Sequence, residues 1–345
     1  MAVYGGYPGG ERTGVCDVTY CPVVVDGNSL IVRSIMLSAT DDLEAGGRPT
    51  GGVYGSLLSL RGIIDQPTVN AAGVWMFFDA GVPEFRQKLV PTYKAERKRK
   101  RMGWTPEQER RVFGQIDDAR QLFGLLGVGC GSVAGWEADD CVASACRLLH
   151  TADGCYPVVV SGDKDLWQLV PDIADAVWDL GRKRLIDDDS FEAAAGVHPR
   201  VYRLFRAMVG DPSDGIPGVD GCGVKRAAAL VASEVDGPPA PIDQLHRLSD
   251  RLMGSTRAYE RAVAEQYERV VAALRVADLT AGNRLVDGAV AWALAEPTTV
   301  DRVGFLRACK RFDFKRVLGN PERFLGPFEA AVARREEMMT MGGGL

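Results

Sequence analysis

Pro22-Val-Val-Val-Asp26 is a short apolar run that ends on a carboxylate, and the chain repeats the pattern as Val74-Trp-Met-Phe-Phe-Asp79 and Pro157-Val-Val-Val-Ser-Gly-Asp163. Continuous β-branched and aromatic runs suit strands buried on both faces, as in a parallel sheet. Between the second and third runs, 107–126 (EQERRVFGQIDDARQLFGLL) and 137–149 (EADDCVASACRLL) read as helices. Alternating strand and helix implies an α/β core with right-handed crossovers. Sheets of that kind place their sites at the carboxyl ends of strands, where Asp26, Asp79 and Asp163 stand.

From 199 onward the pattern turns helical. A Gly-rich stretch from Gly210 to Gly223 leads into Val224-Lys-Arg-Ala-Ala-Ala-Leu-Val231, 236–241 (DGPPAP) is a breaker, and 255–278 reads as one long helix with an Arg-rich face. The expected division is a loose leader over 1–21, an α/β core over 22–198, a helical subdomain over 199–325 and a C-terminal tail over 326–345, frayed after Arg334. The first residues lack the basic start and apolar core of a signal peptide, and no run reaches the roughly eighteen apolar residues of a membrane span. No membrane association and a cytoplasmic, monomeric protein are therefore expected. The eight cysteines form no CxxC pair and only three histidines are present, so zinc has poor material and reduced, mostly buried thiols are expected.

The net charge of −5 argues at first against a polyanionic partner. The distribution says otherwise. Gly135-Trp-Glu-Ala-Asp-Asp140 opens a helix with Glu137, Asp139 and Asp140 in its first turn, Ser161-Gly-Asp-Lys-Asp-Leu166 follows a strand, and Gly210-Asp-Pro-Ser-Asp-Gly-Ile-Pro-Gly218 carries Asp211 and Asp214 in a turn-rich loop. Each alone has a plain reading: acids in first turns favour the helix dipole, Asp caps helices, and Asp, Gly and Pro make turns. Taken jointly, Asp26, Asp79, Glu137, Asp139, Asp140, Asp163, Asp165, Asp211 and Asp214 would crowd one sheet edge, where like charges repel unless cations neutralise them. Oxygen-only ligands favour Mg²⁺, with Mn²⁺ able to substitute. Two such ions about 4 Å apart suit in-line phosphodiester hydrolysis. Setting the nine acids aside turns the balance from −5 to +4.

The complementary signal is basic. Residues 84–111 hold ten Lys or Arg against four acids, six of them within Lys94–Arg101. A solvated charged helix is the plain reading of such a run. Phe85, Tyr93 and Trp104 are interleaved with the cations, as in channels that combine phosphate neutralisation with base stacking. Gly221-Cys-Gly-Val-Lys-Arg226 adds a second candidate phosphate site, a glycine-rich turn before a helix N-terminus.

The order of these motifs resembles the 5′ nuclease family: the N-terminal exonuclease domain of bacterial DNA polymerase I and the stand-alone phage flap endonucleases. The residues that carry the resemblance are VVVDGNSL (23–30), FFDAGVPEFR (77–86), PTYKAERKRKR (91–101), GWEADDCVAS (135–144), SGDKDLWQLV (161–170) and GDPSDGIPGVDGCGVKRA (210–227). It is strong over 22–232 and thin again at 305–319; with no polymerase domain present, the phage-like stand-alone form is the nearer match. The resemblance implies a PIN-like, mostly parallel central sheet flanked by helices, with a helical C-terminal subdomain containing a helix–three-turn–helix. It implies metal roles for all nine acids, phosphate contacts from Lys94 and Arg97 in a basic arch, and DNA-binding roles for Arg86, Tyr93, Lys98, Arg99, Arg206, Gly221, Gly223, Lys225 and Arg226. Arg206 departs from a phage lysine, Cys222 replaces an aliphatic residue, 97–101 is unusually basic, and 41–52 is a Gly-rich insert. The implied activity is structure-specific 5′–3′ exonuclease or flap endonuclease cleavage of 5′-flap, branched or 5′-ended DNA with two Mg²⁺ ions, alongside a replicative polymerase. A PIN-like ribonuclease and a non-catalytic branched-DNA binder are the alternatives.

Overall fold

The computed structural model describes residues 20–37, 43–153, 156–170, 172–279, 285–296 and 298–342. The expected leader lies almost wholly outside them, as do Cys16, Cys155, the start of the 41–52 insert and the last three residues of the expected tail. Cys130, Cys141, Cys146, Cys222 and Cys309 are free thiols.

The three apolar runs are strands, as their composition requires. In chain order the strands are β1 (Cys21–Asp26), β2 (Glu44–Ala45), β3 (Arg48–Pro49), β4 (Ala71–Phe77), β5 (Gly129–Gly131), β6 (Val158–Ser161), β7 (Ala176–Asp179) and β8 (Arg184–Asp187). Six form one sheet in the order β5-β4-β1-β6-β7-β8, while β2 and β3 make a separate hairpin in the Gly-rich insert. Every pair of the large sheet is parallel except β7 with β8. β1 is central: Val24 is level with Trp75 of β4 and with Val159 of β6.

Because successive strand residues face opposite ways, the sheet seals two cores. Val24, Trp75 and Phe77 face the helix Ala138–Asp153 and the helices from Tyr202 to Ala295. Val23, Val25, Val74 and Met76 face the helices Gly27–Met36, Gly51–Ile64 and Gln115–Leu125, joined by Phe305, Phe312, Phe324 and Phe328 from the end of the chain. The last segment therefore returns to the sheet. The helix Pro321–Gly342 runs through the boundary expected at 325/326, and buried Arg335 ties it down with hydrogen bonds to the carbonyls of Leu294 and Glu296 at 2.8 and 2.9 Å. A tail beginning at 326 is replaced by a packed helix, because Phe324, Leu325, Phe328 and Ala331 are core residues.

The expected single helix over 255–278 is two, Ala258–Glu265 and Tyr267–Ala277, broken at Gln266. Gln266 leaves the helical path because its side-chain amide clasps Asp220: Oε1 accepts from the Asp220 N–H at 3.1 Å and Nε2 donates to its carboxylate at 3.2 Å. Arg269 donates to both residues. The break fixes the turn that precedes the helix Val224–Val231.

Candidate metal-dependent active site

Each strand-end acid is held by hydrogen bonds to a neighbouring turn or helix start. Asp26 ends β1 and caps the helix Gly27–Met36, accepting from the Ser29 N–H at 2.9 Å, while the Ser161 hydroxyl donates to its other oxygen at 3.0 Å. Asp79, just past β4, accepts from the Ala138 N–H at 2.8 Å, and its own N–H donates to Asn28 at 2.9 Å. Asp163, just past β6, caps a short 3₁₀ turn by accepting from the Asp165 N–H at 2.9 Å. Two loops meet to align these groups. Gly135 donates its N–H to the Ala80 carbonyl at 2.8 Å, Trp136 accepts from Ala80 at 2.9 Å, and a Cβ on Gly81 would stand 2.8 Å from Gly135 Cα. Only a glycine at 81, with φ +142, allows that approach.

The remaining acids fall into two groups whose carboxylate oxygens lie within 4.8 Å of one another: Glu137, Asp139 and Asp140 on the helix start, and Asp165, Asp211 and Asp214 between the 3₁₀ turn and the glycine-rich loop. The charges of Asp79, Asp139 and Asp163 all act on Asp26. Burial, reinforced by the Asp79 charge, pushes the Asp26 carboxyl up to about 8. Burial and the neighbouring Asp165 charge push Asp163 up to about 6. Burial raises Asp140 to about 6 against the pull of Arg86, and raises Asp214 to about 6 against Lys94 and Arg97. Burial also acts on Asp211, but its hydrogen bonds to Ser213 and the charge of Arg206 outweigh it and hold the carboxyl below its ordinary value. Nine carboxylates crowded at one edge, several resisting ionisation, are the electrostatic condition that divalent cations relieve. The donors are all oxygen, and buried Asp214 Oδ1 is met only by the Arg97 guanidinium, at 2.5 Å and outside hydrogen-bond geometry. This set fits Mg²⁺ or Mn²⁺.

The cations lie elsewhere than a DNA-facing reading expects. Arg86 is 1% exposed. Its guanidinium donates to both oxygens of Asp140 at 2.7 Å and to Glu137, and its Nε donates to the Val276 carbonyl at 3.0 Å. It is an internal counter-ion, out of reach of a DNA phosphate. Tyr93 is likewise buried and donates its hydroxyl to Glu137 at 2.9 Å, so its ring presents no stacking face. Arg206 donates Nε and a terminal nitrogen to Asp165 at 2.9 and 2.7 Å, and that nitrogen also reaches Asp211 at 3.0 Å. The expected open DNA contact is committed here to two carboxylates. The other interleaved aromatics are half-buried and each pairs with another ring, Phe85 with Trp136 at 6.3 Å and Trp104 with Phe113 at 6.2 Å.

Lys94 and Arg97 reach the site from the opposite wall. Lys94 pairs with Glu137, and Arg97 lies 2.5 Å from Asp214. Lys94 holds a left-handed backbone, φ 52, at the start of the helix Ala95–Met102, and its N–H donates to the Asp214 carbonyl at 2.7 Å. A non-glycine residue in that region is strained and persists only where its surroundings over-determine it. Lys98 and Arg99 are exposed on that helix, Arg99 pairing with Glu96 at 2.5 Å. At the separate glycine turn, Gly221 and Gly223 precede the helix Val224–Val231, whose N-terminus has no side-chain cap. Lys225 is exposed there, while Arg226 donates to the Gly221 carbonyl at 2.7 Å and lies over Tyr259 at 4.6 Å.

Sequence reasoning missed the supports: Asn28, Ser29 and Ser161 under the strand-end acids, and Ser213, which binds Asp211 through its N–H at 2.8 Å and its hydroxyl at 2.6 Å. Only the last had a signal, since Asp two residues before Ser is a common Asx turn.

The model of the 5′-3′ exonuclease N-terminal resolvase-like domain matches residues 22–196. Over 254 residues the chain is 32% identical to DNA polymerase I of Mycobacterium tuberculosis, a stretch that makes up 71% of this chain and 26% of the polymerase. Over 217 residues it is 32% identical to the 5′-3′ exonuclease of Bacillus subtilis, covering 61% of this chain and 69% of the relative. The chain thus spans about a quarter of the length of the polymerases it matches. Among solved structures, the T5 5′-exonuclease with bound zinc superposes with a TM-score of 0.63 at 20% identity, covering 79% of this chain and 98% of the other. The T5 flap endonuclease in a complex with DNA and metal ions gives 0.61 at 19%, covering 84% and 98%. The flap endonuclease-1 of Methanococcus jannaschii gives 0.51 at 16%, covering 92% and 95%. These three share the fold.

Proposed function

This chain belongs to the 5′-3′ exonuclease family, and we propose that it hydrolyses DNA phosphodiesters near 5′ ends or branch points, as a flap endonuclease and 5′-3′ exonuclease using Mg²⁺. The observation that carries the reading is the convergence of the carboxylates with Lys94 and Arg97, which approach Glu137 and Asp214 from the facing basic segment. Such a site has negative oxygens on one wall to hold divalent ions and cations on the other to meet a phosphate.

Asp26, Asp79, Glu137, Asp139, Asp140, Asp163, Asp165, Asp211 and Asp214 are the residues that would hold Mg²⁺, with Mn²⁺ as a substitute; Asp140, held by Arg86, and Glu137, held by Arg86, Tyr93 and Lys94, are the most committed to protein donors. When bound, such ions supply Lewis acidity toward the phosphodiester. Lys94 and Arg97 add positive charge at the scissile phosphate, while Lys98 and Arg99 on the exposed helix retain the single strand by charge. The amides at Gly221 and Gly223, with Lys225, grip a duplex phosphate remote from the cut. No helix among the described residues is long and apolar enough to cross a membrane. A monomer acting beside a replicative polymerase completes the proposal.

The test is a labelled 5′-flap duplex incubated with the full chain in Mg²⁺ and in EDTA. Cleavage near the branch in Mg²⁺ alone, reduced by orders of magnitude in Asp163→Ala with DNA binding retained, supports the reading. Binding without cleavage in Mg²⁺ and Mn²⁺ leaves a branched-DNA binder, and cleavage confined to an RNA flap leaves a ribonuclease.

A further inference from the structure

The acids differ in what already neutralises them. Among the described residues, Asp26, Asp79, Asp139 and Asp163 have no Lys or Arg nitrogen within ion-pair distance, whereas all three members of the Asp165–Asp211–Asp214 group do. One side chain serves two of those three. Arg206 puts Nε and a terminal nitrogen on Asp165 Oδ1 and shares the terminal nitrogen with Asp211 Oδ2. Its side chain is 19% exposed, so the pairing is little screened by solvent. Ser213 and the Asp214 N–H fill Asp211 Oδ1, so the oxygen of Asp211 left for a cation is the one Arg206 holds.

We propose that Arg206 is a latch on the Asp165–Asp211–Asp214 group: its guanidinium stands in for a cation there and must be displaced before a divalent ion can use the same oxygens. The residue thereby sets unequal affinities for two ions, leaving the unpaired acids around Asp26 to take the first. This rests on the metal-ion reading of the site and adds to it the residue that controls the second ion. A guanidinium fork can grip two carboxylates at once, whereas an ammonium is a single point charge on a flexible stem. Lysine at this position is therefore a weaker latch.

The experiment titrates Mn²⁺ into the full chain without DNA, reading free Mn²⁺ by electron paramagnetic resonance, for the wild type, Arg206→Gln and Arg206→Lys. The wild type is expected to bind two ions with separated affinities. Arg206→Gln should tighten the weaker event about tenfold, within the usual span of coupled sites, and leave the tighter event within about twofold. Arg206→Lys should fall between. A residue that merely held the fold would, when removed, loosen both events, and that result overturns the proposal, as does a weaker event unchanged in both variants. If none of the three proteins binds Mn²⁺, the metal-ion reading fails and the latch fails with it; two equal, tight events in the wild type reject the latch alone.

Discussion

A Cβ placed on Gly215 would stand 2.1 Å from the carbonyl oxygen of Thr92. Gly215 also has φ +72, and its own carbonyl accepts from the Thr92 hydroxyl at 2.6 Å. This contact seats the glycine-rich loop on the start of the basic segment, and one residue to either side lie Asp214 and Tyr93, which bear on Lys94 and Glu137. Gly215→Ala is expected to force the two segments apart. The left-handed backbone alone costs alanine roughly 1–2 kcal/mol, and at roughly 2–4 °C per kcal/mol for a domain of this order of size the melting temperature should drop by about 5 °C. Flap cleavage should fall further than that loss explains, because Lys94 and Arg97 move away from Asp214. A variant that melts lower but cleaves normally would show that the contact serves stability only.

The strand-end acids were legible because each signal is local: an apolar run fixes the strand, and the next polar residue stands at its carboxyl end. The helix Val224–Val231 was legible for the same reason. Arg86 was not, since its neighbours describe a cationic helix, while its partners Glu137 and Asp140 lie 51 and 54 positions away. Arg206 was hidden likewise, 41 positions from Asp165. The break at Gln266 runs against local preference in 258–277, a segment rich in helix formers, because a contact with Asp220 outweighs propensity there. The antiparallel pairing of β7 and β8 turns on the short turn between them, which carries no Asn-Gly or Asp-Gly signal.

Asp26→Asn separates function from stability. Asparagine keeps the N-cap, for which it is as good as aspartate, while it removes a carboxyl whose ionisation is opposed by burial and by the charges of Asp79, Asp163 and Asp139. In EDTA the variant should melt roughly 2–4 °C higher than the wild type, the shift for about 1 kcal/mol. It should gain less from added Mg²⁺ and cleave flap DNA orders of magnitude more slowly. An unchanged or lower melting temperature in EDTA would mean that the carboxylates do not repel one another in the metal-free protein.

The turn between β7 and β8 makes a pH prediction outside the metal cluster. Burial works against the Asp179 carboxylate, but Arg182 at 2.7 Å and the N–H groups of Gly181 and Arg182 outweigh it, holding the carboxyl below its ordinary value. A depressed folded-state value means stability that is present above the unfolded value, near 4, and lost as pH falls through the folded one. Asp179→Asn should therefore melt lower than the wild type at pH 7, by roughly 2–4 °C if the turn is worth about as much as a helix cap. The gap should close as pH falls through the depressed folded-state value. A gap that stays constant with pH would assign the turn's stability to shape rather than charge.

Lys225 tests the duplex grip. It is exposed beside an uncapped helix N-terminus, and no ion pair joins it to the cluster among the described residues. Lys225→Ala should weaken binding to duplex DNA of any sequence and reduce the slope of log affinity against log salt by about one. Its single-turnover rate at saturating DNA should stay near that of the wild type. Unchanged affinity and an unchanged slope would remove this residue from the interface.

Lys94 and Lys98 are one helical turn apart but meet different surroundings. Lys94 is half-buried against Glu137 and 3.9 Å from Asp214, whereas Lys98 and Arg99 are exposed with no carboxylate of the cluster beside them. The cluster's acids hold the Lys94 ammonium charged: burial favours the neutral amine, but the charges of Asp139 and Glu137 outweigh it. A fixed cation at that place can stabilise charge that develops on a phosphate during cleavage, and such preorganised groups typically contribute on the order of 10²-fold or more in rate. Contacts that act equally on bound substrate and transition state are instead recovered by raising the substrate concentration. Lys94→Ala should stay about 10²-fold slow at saturating flap DNA, while Lys98→Ala with Arg99→Ala should reach the wild-type rate at higher DNA and show a flatter salt dependence of binding. Single-turnover rates measured against DNA concentration for both variants decide the matter. If Lys94→Ala regains the wild-type maximum, its charge serves attraction alone, and the left-handed backbone at Lys94 is then a feature of the loop junction with Asp214 rather than of catalysis.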